Sequence, residues 1–220
     1  MTPPKAVLFD LDGTLVDTAP DLGGTIMEMQ TARGLPCTPL HALRPVASAG
    51  ARGLLEAGFG LKPEDDSFEA MRTEFLQRYE ARIVKESCLF EGFAELLKRY
   101  KSKGIAWGIV TNKNERLATL LVDGLKLNEH CAVLIGGDTT PHAKPHPEPC
   151  LAAVRSLQLH PEDCWFVGDD LRDIQAGKAA GMTTVAAGYG YCGNPEPVQT
   201  WGADIVVASV AEFSGLFSAR

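Results

Sequence analysis

The sequence predicts an α/β fold in which a doubly wound parallel sheet carries an inserted helical segment. Short apolar runs recur along the chain without alternating in hydropathy, which is typical of parallel strands covered by helices on both faces. Helical patterns separate these runs, and such alternation indicates right-handed β-α-β units. Residues 18–84 contain helical patterns and no convincing strand, so this part of the chain is predicted to be an insertion.

The predicted strands are apolar runs bounded by turn residues: 6–9, 105–110, 132–135, 165–167, 183–187 and 205–207. Helices are predicted between them. Phe93, Leu96, Leu97 and Tyr100 fall on one helical face, and Gly104 follows them as a C-cap. A further apolar pattern begins after Asn114, a favoured N-cap residue.

The insertion divides the predicted domains. Residues 1–16 and 86–220 are assigned to the α/β core, and residues 17–85 to a helical cap. The chain is expected to enter and leave this cap near residues 16–17 and 85–91. A helix is predicted after Pro63 because apolar residues recur there at helical spacing: Phe68, Met71, Phe75, Leu76, Tyr79 and Ile83. Leu22, Ile26 and Met27 indicate an earlier helix.

Composition excludes several classes of function. The net charge of −7 and the absence of a basic patch argue against a nucleic-acid partner. No apolar run reaches the length of a membrane span, and the first residues do not resemble a signal peptide. The six cysteines form no C-x-x-C pair and no zinc-site spacing. These features predict a reduced, cytoplasmic protein.

Polar residues follow four of the predicted strands. In an open parallel sheet, ligands bind at the carboxyl ends of the strands, so these residues are expected to converge on one edge. In strand order they are Asp10 and Asp12, then Thr111 and Asn112, then Lys144, then Asp169, Asp170 and Asp173.

The five aspartates of this set are expected to repel one another. Like charges raise each other's pKa and destabilise a fold, and packing needs no such cluster. Either a hard cation neutralises the carboxylates or some of them are held protonated. Oxygen donors without histidine or cysteine favour Mg²⁺ among the divalent ions.

Asp10 and Asp12 have the spacing of residues that face the same way on a strand. Gly13 then permits a sharp turn close to a ligand. Two carboxylates in different environments can divide the work of nucleophile and general acid/base. The structural alternative is an Asx turn followed by a glycine loop.

Thr111 and Lys144 each have a functional and a structural interpretation. Thr111 precedes a helix N-terminus, where hydroxyl and N–H groups bind phosphate oxygens, or it is a simple capping residue. Lys144 lies in a proline-bounded loop that would hold its charge near the aspartates, or it is a solvated surface lysine.

The segments 10–14, 144–145 and 168–169, together with Thr111, resemble the four motifs of the haloacid dehalogenase superfamily, in the same order. The resemblance covers nearly the whole chain and implies a Rossmann-like core with a helical cap. Segments 89–92, 107–113 and 167–173 resemble the phosphoglycolate phosphatase branch. With segments 189–191 and 201–204, they are also similar to bacterial N-acetylmuramate 6-phosphate phosphatases.

This resemblance implies a magnesium-dependent phosphatase that hydrolyses a small phosphorylated metabolite, as a monomer or homodimer. Asp10 would form a phosphoaspartate, and Asp12 would serve as general acid and base. Asp10, Asp169 and the backbone carbonyl of Asp12 would hold Mg²⁺, with Asp173 acting through these groups rather than on the ion.

The resemblance also implies which residues bind the substrate. Thr111, Asn112 and Lys144 would hold the phosphoryl group. In the cap, Arg52 follows a flexible turn and would meet a substrate carboxylate, unless it is an ordinary surface arginine. Arg44 is a further candidate for this role.

Four alternatives share the scaffold or the motifs. A dehalogenase would lack the second aspartate, and Asp12 argues against it. A phosphonatase would use a cap lysine as a Schiff base, and no pattern marks one, although the sequence does not exclude Lys62. A phosphomutase of the β-phosphoglucomutase type would keep all four motifs and require a bisphosphate. A non-catalytic binding module would typically have lost a charged site residue, and none is missing.

Overall fold

The computed structural model describes residues 3–193 and 195–217. Strands and helices alternate along these residues, apart from one helical stretch after the first strands. In chain order, the elements are β1 Ala6–Phe9, β2 Val16–Asp17, α1 Ala19–Thr31, α2 Leu40–Leu43, α3 Gly50–Phe59, α4 Phe68–Glu80, β3 Cys88–Leu89, α5 Phe93–Lys103, β4 Ala106–Val110, α6 Glu115–Gly124, β5 Leu134–Ile135, α7 Glu148–Leu157, β6 Cys164–Gly168, α8 Leu171–Ala179, β7 Thr183–Ala187, β8 Ile205–Val207 and α9 Val210–Gly215.

Within the described residues, six parallel strands form one sheet in the order β5-β4-β1-β6-β7-β8. The central strand β1 therefore lies between β4 and β6, and the chain runs outward from it in both directions. This order confirms the predicted doubly wound α/β fold. It also brings the residues that follow β1, β4 and β6 to one edge of the sheet.

Apart from Thr183 and Thr184 of β7, the strands of the sheet lack polar side chains because helices cover both of its faces. Every residue of β1 is fully buried. On one face Phe9 packs edge-to-face against Phe93 of α5 and Phe213 of α9, with ring centroids 5.4 and 6.0 Å apart. On the other face Leu8 joins a separate cluster that includes Cys150 of α7. A strand buried on both faces has no polar side, which explains the lack of alternation.

Most predicted strand limits are close to those observed. Strands β1, β7 and β8 have the predicted bounds. β4 begins one residue later than expected, and β6 is one residue longer at each end. The predicted strand 132–135 is reduced to β5, Leu134–Ile135, at the edge of the sheet. Within the part of the chain that the structure describes, β4 is the one strand that pairs with β5, and this pairing is short.

The helical insertion is confirmed between β2 and β3. It contains α1 to α4 and a 3₁₀ turn at Arg44–Ala49. The helix predicted after Pro63 begins at Phe68 and ends at Glu80, so Ile83 lies beyond it. Buried residues of the insertion and of the sheet belong to one continuous apolar cluster, so the cap packs directly on the core. The domain limits of 17–85 remain a prediction.

A short antiparallel ribbon at the base of the cap was not predicted. Val16 pairs with Leu89 and Asp17 with Cys88, at the places where the chain was expected to enter and leave the cap. Strands of two residues carry no periodicity that a sequence can show. The ribbon holds the two connections together and thereby fixes where the cap meets the core.

Two of the compositional predictions can be compared with the structure. Among the described residues, no helix has both the length and the apolar character that a bilayer span requires. All six cysteines are free thiols.

Candidate active site

Three buried carboxylates meet at the carboxyl edge of the sheet. Asp10 directly follows β1, Asp169 directly follows β6, and Asp173 lies in the first turn of α8. Oxygen atoms of the three side chains all lie within 4.8 Å of one another. The three residues are only 7%, 0% and 1% exposed. Because β1 and β6 pair in register, with Phe9 opposite Val167, the sheet itself sets the separation of Asp10 and Asp169.

Lys144 inserts its ammonium group among these carboxylates. Its Nζ lies 2.8 Å from Asp10 Oδ1 and 2.7 Å from Asp173 Oδ1, and it donates to the carbonyl of Val110 at 2.9 Å. The side chain is 2% exposed. Burial alone would lower the pKa of Lys144, but the charges of Asp10 and then Asp173 outweigh burial and raise it. Lys144 is therefore a buried cation, as one interpretation of the sequence predicted.

Asn112 positions the backbone of Lys144. Its Nδ2 donates to the Lys144 carbonyl and its Oδ1 accepts from the Lys144 N–H, both at 2.9 Å. The predicted contact of Asn112 with substrate stays a prediction. The observed contacts give this residue a separate role, which is to join the loop after β4 to the loop that precedes α7.

The carboxylate cluster is strained electrostatically. Burial, followed by the charge of Asp10, raises the pKa of Asp169 to about 7. Burial also raises the pKa of Asp173 well above its ordinary value, even though Lys144 acts in the opposite direction. One lysine does not neutralise three carboxylates. The geometry therefore fits a site for a cation with oxygen ligands.

Asp169 is held by partners from three parts of the chain. Its oxygens accept hydrogen bonds from Thr14 Oγ1 at 2.8 Å, from the backbone N–H of Tyr191 at 2.8 Å and from Ser48 Oγ at 3.2 Å. Ser48 belongs to the cap, so the cap touches the carboxylate cluster directly. A Cβ at Gly13 would lie 2.3 Å from Asp169 Oδ2, and the φ of Gly13 is +87°, so only glycine fits there.

Asp12 lies apart from the three clustered carboxylates. Its two carboxylate oxygens accept hydrogen bonds from Lys113 Nζ, each at 2.9 Å, and Oδ1 also accepts one from Thr18 Oγ1 at 2.6 Å. The carboxylate group that completes the cluster is that of Asp173, to which the sequence analysis gave an indirect role. Ligation by the backbone carbonyl of Asp12 stays a prediction.

Lys113 lies at the end of the segment 107–113 and was not among the predicted site residues. Its side chain is 7% exposed, and its Nζ lies 4.6 Å from the centre of the Tyr79 ring. Burial alone would lower the pKa of Lys113, but Asp12 and Tyr79 outweigh burial and raise it. The available signal was its place directly after Thr111 and Asn112, at the same strand end.

Thr111 faces a cavity of about 660 Å³ between cap and core. Its Oγ1 accepts a hydrogen bond from the Lys113 N–H at 3.2 Å, which leaves the hydroxyl proton available for a ligand.

The predicted helix α6 follows Thr111, but the residue that caps its N-terminus differs from the one expected. Asn114 is at the N-cap position without a capping side chain, and Asp138 Oδ1 instead accepts from the Glu115 N–H at 2.7 Å.

The same cavity brings together most of the predicted site residues. Asp10, Asp12, Thr111, Asn112 and Lys144 line it from the core, with Asp170 and Asp173, and Arg52 lines it from the cap.

The cap cations named as candidates differ in their ion-pair partners and in whether they line the cavity. Arg52 is exposed and has no ion-pair partner among the described residues. Arg44, the other candidate, is paired with both carboxylate oxygens of Asp17 and does not line the cavity. Lys62, the lysine that a phosphonatase would need, does not line it either.

Comparisons with known proteins agree with this geometry. The family model for haloacid dehalogenase-like hydrolases matches residues 4–181. A phosphoglycolate phosphatase from Xanthomonas campestris pv. campestris (strain 8004) is 48% identical over 93% of this chain and 92% of its own length. An N-acetylmuramic acid 6-phosphate phosphatase from Pseudomonas putida is 46% identical over 92% of this chain and 91% of its own length.

A solved structure extends the comparison to the cap. A protein of Haemophilus somnus 129pt, described as a predicted phosphoglycolate phosphatase, superposes with a TM-score of 0.84 at 27% sequence identity. The superposition covers 99% of this chain and 98% of that protein. The family match and the relatives together are decisive: this chain belongs to the haloacid dehalogenase-like hydrolase family.

Proposed function

We propose that this protein is a magnesium-dependent phosphatase that hydrolyses a small phosphomonoester through a phosphoaspartate on Asp10. The observation that carries the proposal is the placement of Lys144 against Asp10 at the floor of the cavity, with a second, separately held carboxylate, Asp12, two residues away. The cavity thereby brings together a nucleophile, a cation for the phosphoryl group and an acid/base residue.

The donor set fits Mg²⁺, because it consists of buried oxygen ligands with more negative charge than Lys144 can neutralise. Asp10 and Asp169 would hold the ion with the backbone carbonyl of Asp12. Asp173 is close enough to contribute as well. When bound, the ion supplies positive charge to the phosphoryl oxygens.

The first half of the reaction transfers the phosphoryl group to the protein. A carboxylate oxygen of Asp10 attacks phosphorus, and the bond from phosphorus to the leaving oxygen breaks. Asp12 gives its proton to that oxygen, so the product leaves as an alcohol. Thr111 and Lys144 hold the phosphoryl oxygens, Thr111 through its free hydroxyl proton and Lys144 through its positive charge beside Asp10.

The second half restores the carboxylate. A water molecule attacks the phosphorus of the phosphoaspartate while Asp12, now ionised, takes its proton. The bond between phosphorus and Asp10 breaks, and inorganic phosphate is released. Asp12 is then protonated and ready for another cycle. The mechanism therefore requires two carboxylates in different surroundings, and this site provides them.

We propose N-acetylmuramate 6-phosphate as the preferred substrate and 2-phosphoglycolate as the second. The names of two relatives support both choices, and both molecules carry a carboxylate that Arg52 would bind. The cavity of about 660 Å³ lies within the range of sites for drug-sized ligands. A phosphorylated sugar acid fills more of such a space than 2-phosphoglycolate does, which favours the larger ester.

Initial rates with Mg²⁺ on N-acetylmuramate 6-phosphate, 2-phosphoglycolate and hexose phosphates test this proposal. We expect release of inorganic phosphate, with the highest kcat/KM for N-acetylmuramate 6-phosphate. A higher kcat/KM for 2-phosphoglycolate would reverse the order of substrates. A reaction that isomerises a hexose phosphate and needs a bisphosphate would instead identify a phosphomutase.

Replacing Arg52 with glutamine should raise KM for the substrates that carry a carboxylate by about tenfold, since hydrogen bonds to charged groups contribute about 1.5 to 3 kcal/mol. The KM for glucose 6-phosphate, which lacks a carboxylate, should not change. Arg33→Gln is the matched control, because Arg33 is a cap arginine that pairs with Glu74 and does not line the cavity. An equal rise in KM for both kinds of substrate would argue against a carboxylate contact.

The raised pKa of Asp169 predicts how stability depends on pH without metal. The folded state holds this proton more tightly than the unfolded chain, whose aspartate pKa is near 3.8. The stabilisation is complete below that value and is lost as the pH rises through about 7. Between about pH 5 and 8, the free energy of unfolding should fall by on the order of 3 kcal/mol relative to Asp169→Asn.

Urea denaturation in EDTA at the two pH values measures this difference. The asparagine variant is the control, since it cannot titrate at this position. Saturating Mg²⁺ should abolish most of the loss in the wild type. Parallel pH profiles for wild type and variant in EDTA would show that Asp169 keeps its ordinary acidity in the folded protein.

We also propose that the enzyme works in the cytoplasm as a monomer or homodimer. The free thiols of all six cysteines support a reducing compartment. Size-exclusion chromatography with light scattering tests the oligomeric state, and a trimer or larger assembly would contradict it.

A further inference from the structure

Lys113 fixes the orientation of the Asp12 carboxylate. Its Nζ donates to both carboxylate oxygens at 2.9 Å, and Thr18 Oγ1 donates to Oδ1 at 2.6 Å. The pair is largely buried, with side-chain exposures of 7% for Lys113 and 14% for Asp12. A carboxylate held from two sides keeps far less rotational freedom than a free aspartate after a strand.

The cap completes the surroundings of Lys113. Tyr79 of α4 places its ring 4.6 Å from Lys113 Nζ, within the range of a cation–π contact. Tyr79 is itself 1% exposed and stacks on Phe75 with ring centroids 6.2 Å apart. Among the described residues, Tyr79 Oη has no hydrogen-bond partner. The contact that the geometry supports between the two residues is therefore that of the Tyr79 ring with the Lys113 ammonium group.

We propose that Lys113 is a positioning residue for Asp12. Tyr79 in turn fixes the position of Lys113, so that the acid/base carboxylate is correctly oriented only when the cap packs on the core. This inference rests on the proposed role of Asp12. Proton transfer requires a carboxylate oxygen within hydrogen-bond reach of the leaving oxygen and then of water. When substrate enters, one Asp12 oxygen exchanges its lysine contact for the leaving oxygen, while the other stays held by Lys113.

The chemistry of the leaving group separates positioning from a general structural role. An alkyl phosphate needs a proton on its leaving oxygen, whereas p-nitrophenolate leaves without one. Lys113→Met should therefore lower kcat for the best alkyl phosphate of the substrate panel by about 10²-fold with KM within about threefold of wild type. The pre-steady-state burst of p-nitrophenolate from p-nitrophenyl phosphate should keep its rate within about threefold.

Changes at Tyr79 test the contribution of the cap. Tyr79→Leu removes the ring and should lower kcat for the alkyl phosphate by about tenfold. The rate of the p-nitrophenolate burst should again stay close to that of the wild type. Tyr79→Phe keeps the ring and should restore the rate. Arg78→Met is the matched control, because Arg78 precedes Tyr79 on α4, pairs with Glu74 and does not line the cavity. Arg78→Met should not favour one substrate over the other.

Asp12→Asn separates failure of this inference from failure of the proposed function. If Asp12→Asn keeps the alkyl phosphate rate, Asp12 is not the acid/base residue, and the proposed mechanism is wrong. Two outcomes would overturn the positioning role once Asp12→Asn has lost the alkyl phosphate rate. In one, Lys113→Met keeps the wild-type rate with the alkyl phosphate. In the other, Lys113→Met slows the p-nitrophenolate burst as much as it slows the alkyl phosphate reaction. Lys113→Met in the Asp12→Asn background should cause no further loss. Should Lys113→Met fail to fold, the comparison of Leu with Phe at Tyr79 decides the question.

Discussion

Asp10→Asn is expected to lower kcat by at least about 10⁴-fold, since it removes the nucleophile on which the covalent step depends. Asparagine keeps the shape of the side chain and can still accept a hydrogen bond from Lys144. It also removes one of three crowded negative charges. The variant should therefore fold, and without metal it should be at least as stable as the wild type.

Steady-state phosphate release and thermal unfolding in EDTA measure the two effects. Acid-quenched protein should carry labelled phosphate in the wild type and none in the variant. Asp163→Asn is the matched control, since Asp163 makes an exposed ion pair with Lys5 far from the cavity. Turnover within tenfold of wild type in Asp10→Asn would rule out the phosphoaspartate mechanism.

Lys144→Met is expected to reduce both activity and stability. Methionine has a similar length but no charge, so Asp10 and Asp173 would each lose their contact with the buried ammonium group. Breaking a buried ion pair by removing one partner costs about 3 to 5 kcal/mol. Loss of the cation that holds the phosphoryl oxygens should also lower kcat/KM by about 10³-fold.

The stability loss should depend on pH and on metal. In EDTA it should be larger at alkaline pH, where the clustered carboxylates are ionised, than at acidic pH, where protons neutralise them. Saturating Mg²⁺ should recover part of it. Lys98→Met, which removes an exposed ion pair with Glu95, should leave the unfolding midpoint and kcat/KM unchanged. Equal stability of Lys144→Met and wild type in EDTA at alkaline pH would contradict the buried ion-pair argument.

Asp10 and Asp169 show why part of the site was predictable. Each directly follows an apolar run, and the runs themselves form neighbouring strands β1 and β6. Once a parallel sheet is predicted, its carboxyl edge is where these residues must lie. Local pattern and global fold agree here, so the sequence was sufficient for the fold and for bringing these two carboxylates together.

Asp12 and Asp173 show where sequence reasoning stopped. Spacing along the strand predicted that Asp10 and Asp12 face the same way, but it could not show that the Asp12 carboxylate is bound by Lys113, which is 101 positions away in sequence. The indirect role given to Asp173 stays a prediction, and what the sequence did not show is that the first turn of α8 places its carboxylate beside those of Asp10 and Asp169. Side-chain directions of this kind depend on rotamers and partners that only packing selects.

By itself, then, the sequence determined the sheet, the helical insertion and the edge on which the aspartates gather, because apolar periodicity and strand-end residues are local properties of the chain. Tertiary structure decided which carboxylates share a centre, which lysine holds which aspartate, and how Ser48 and Tyr79 of the cap reach the core. These contacts join residues that are remote in sequence, and their geometry follows from the packing of the cap on the sheet.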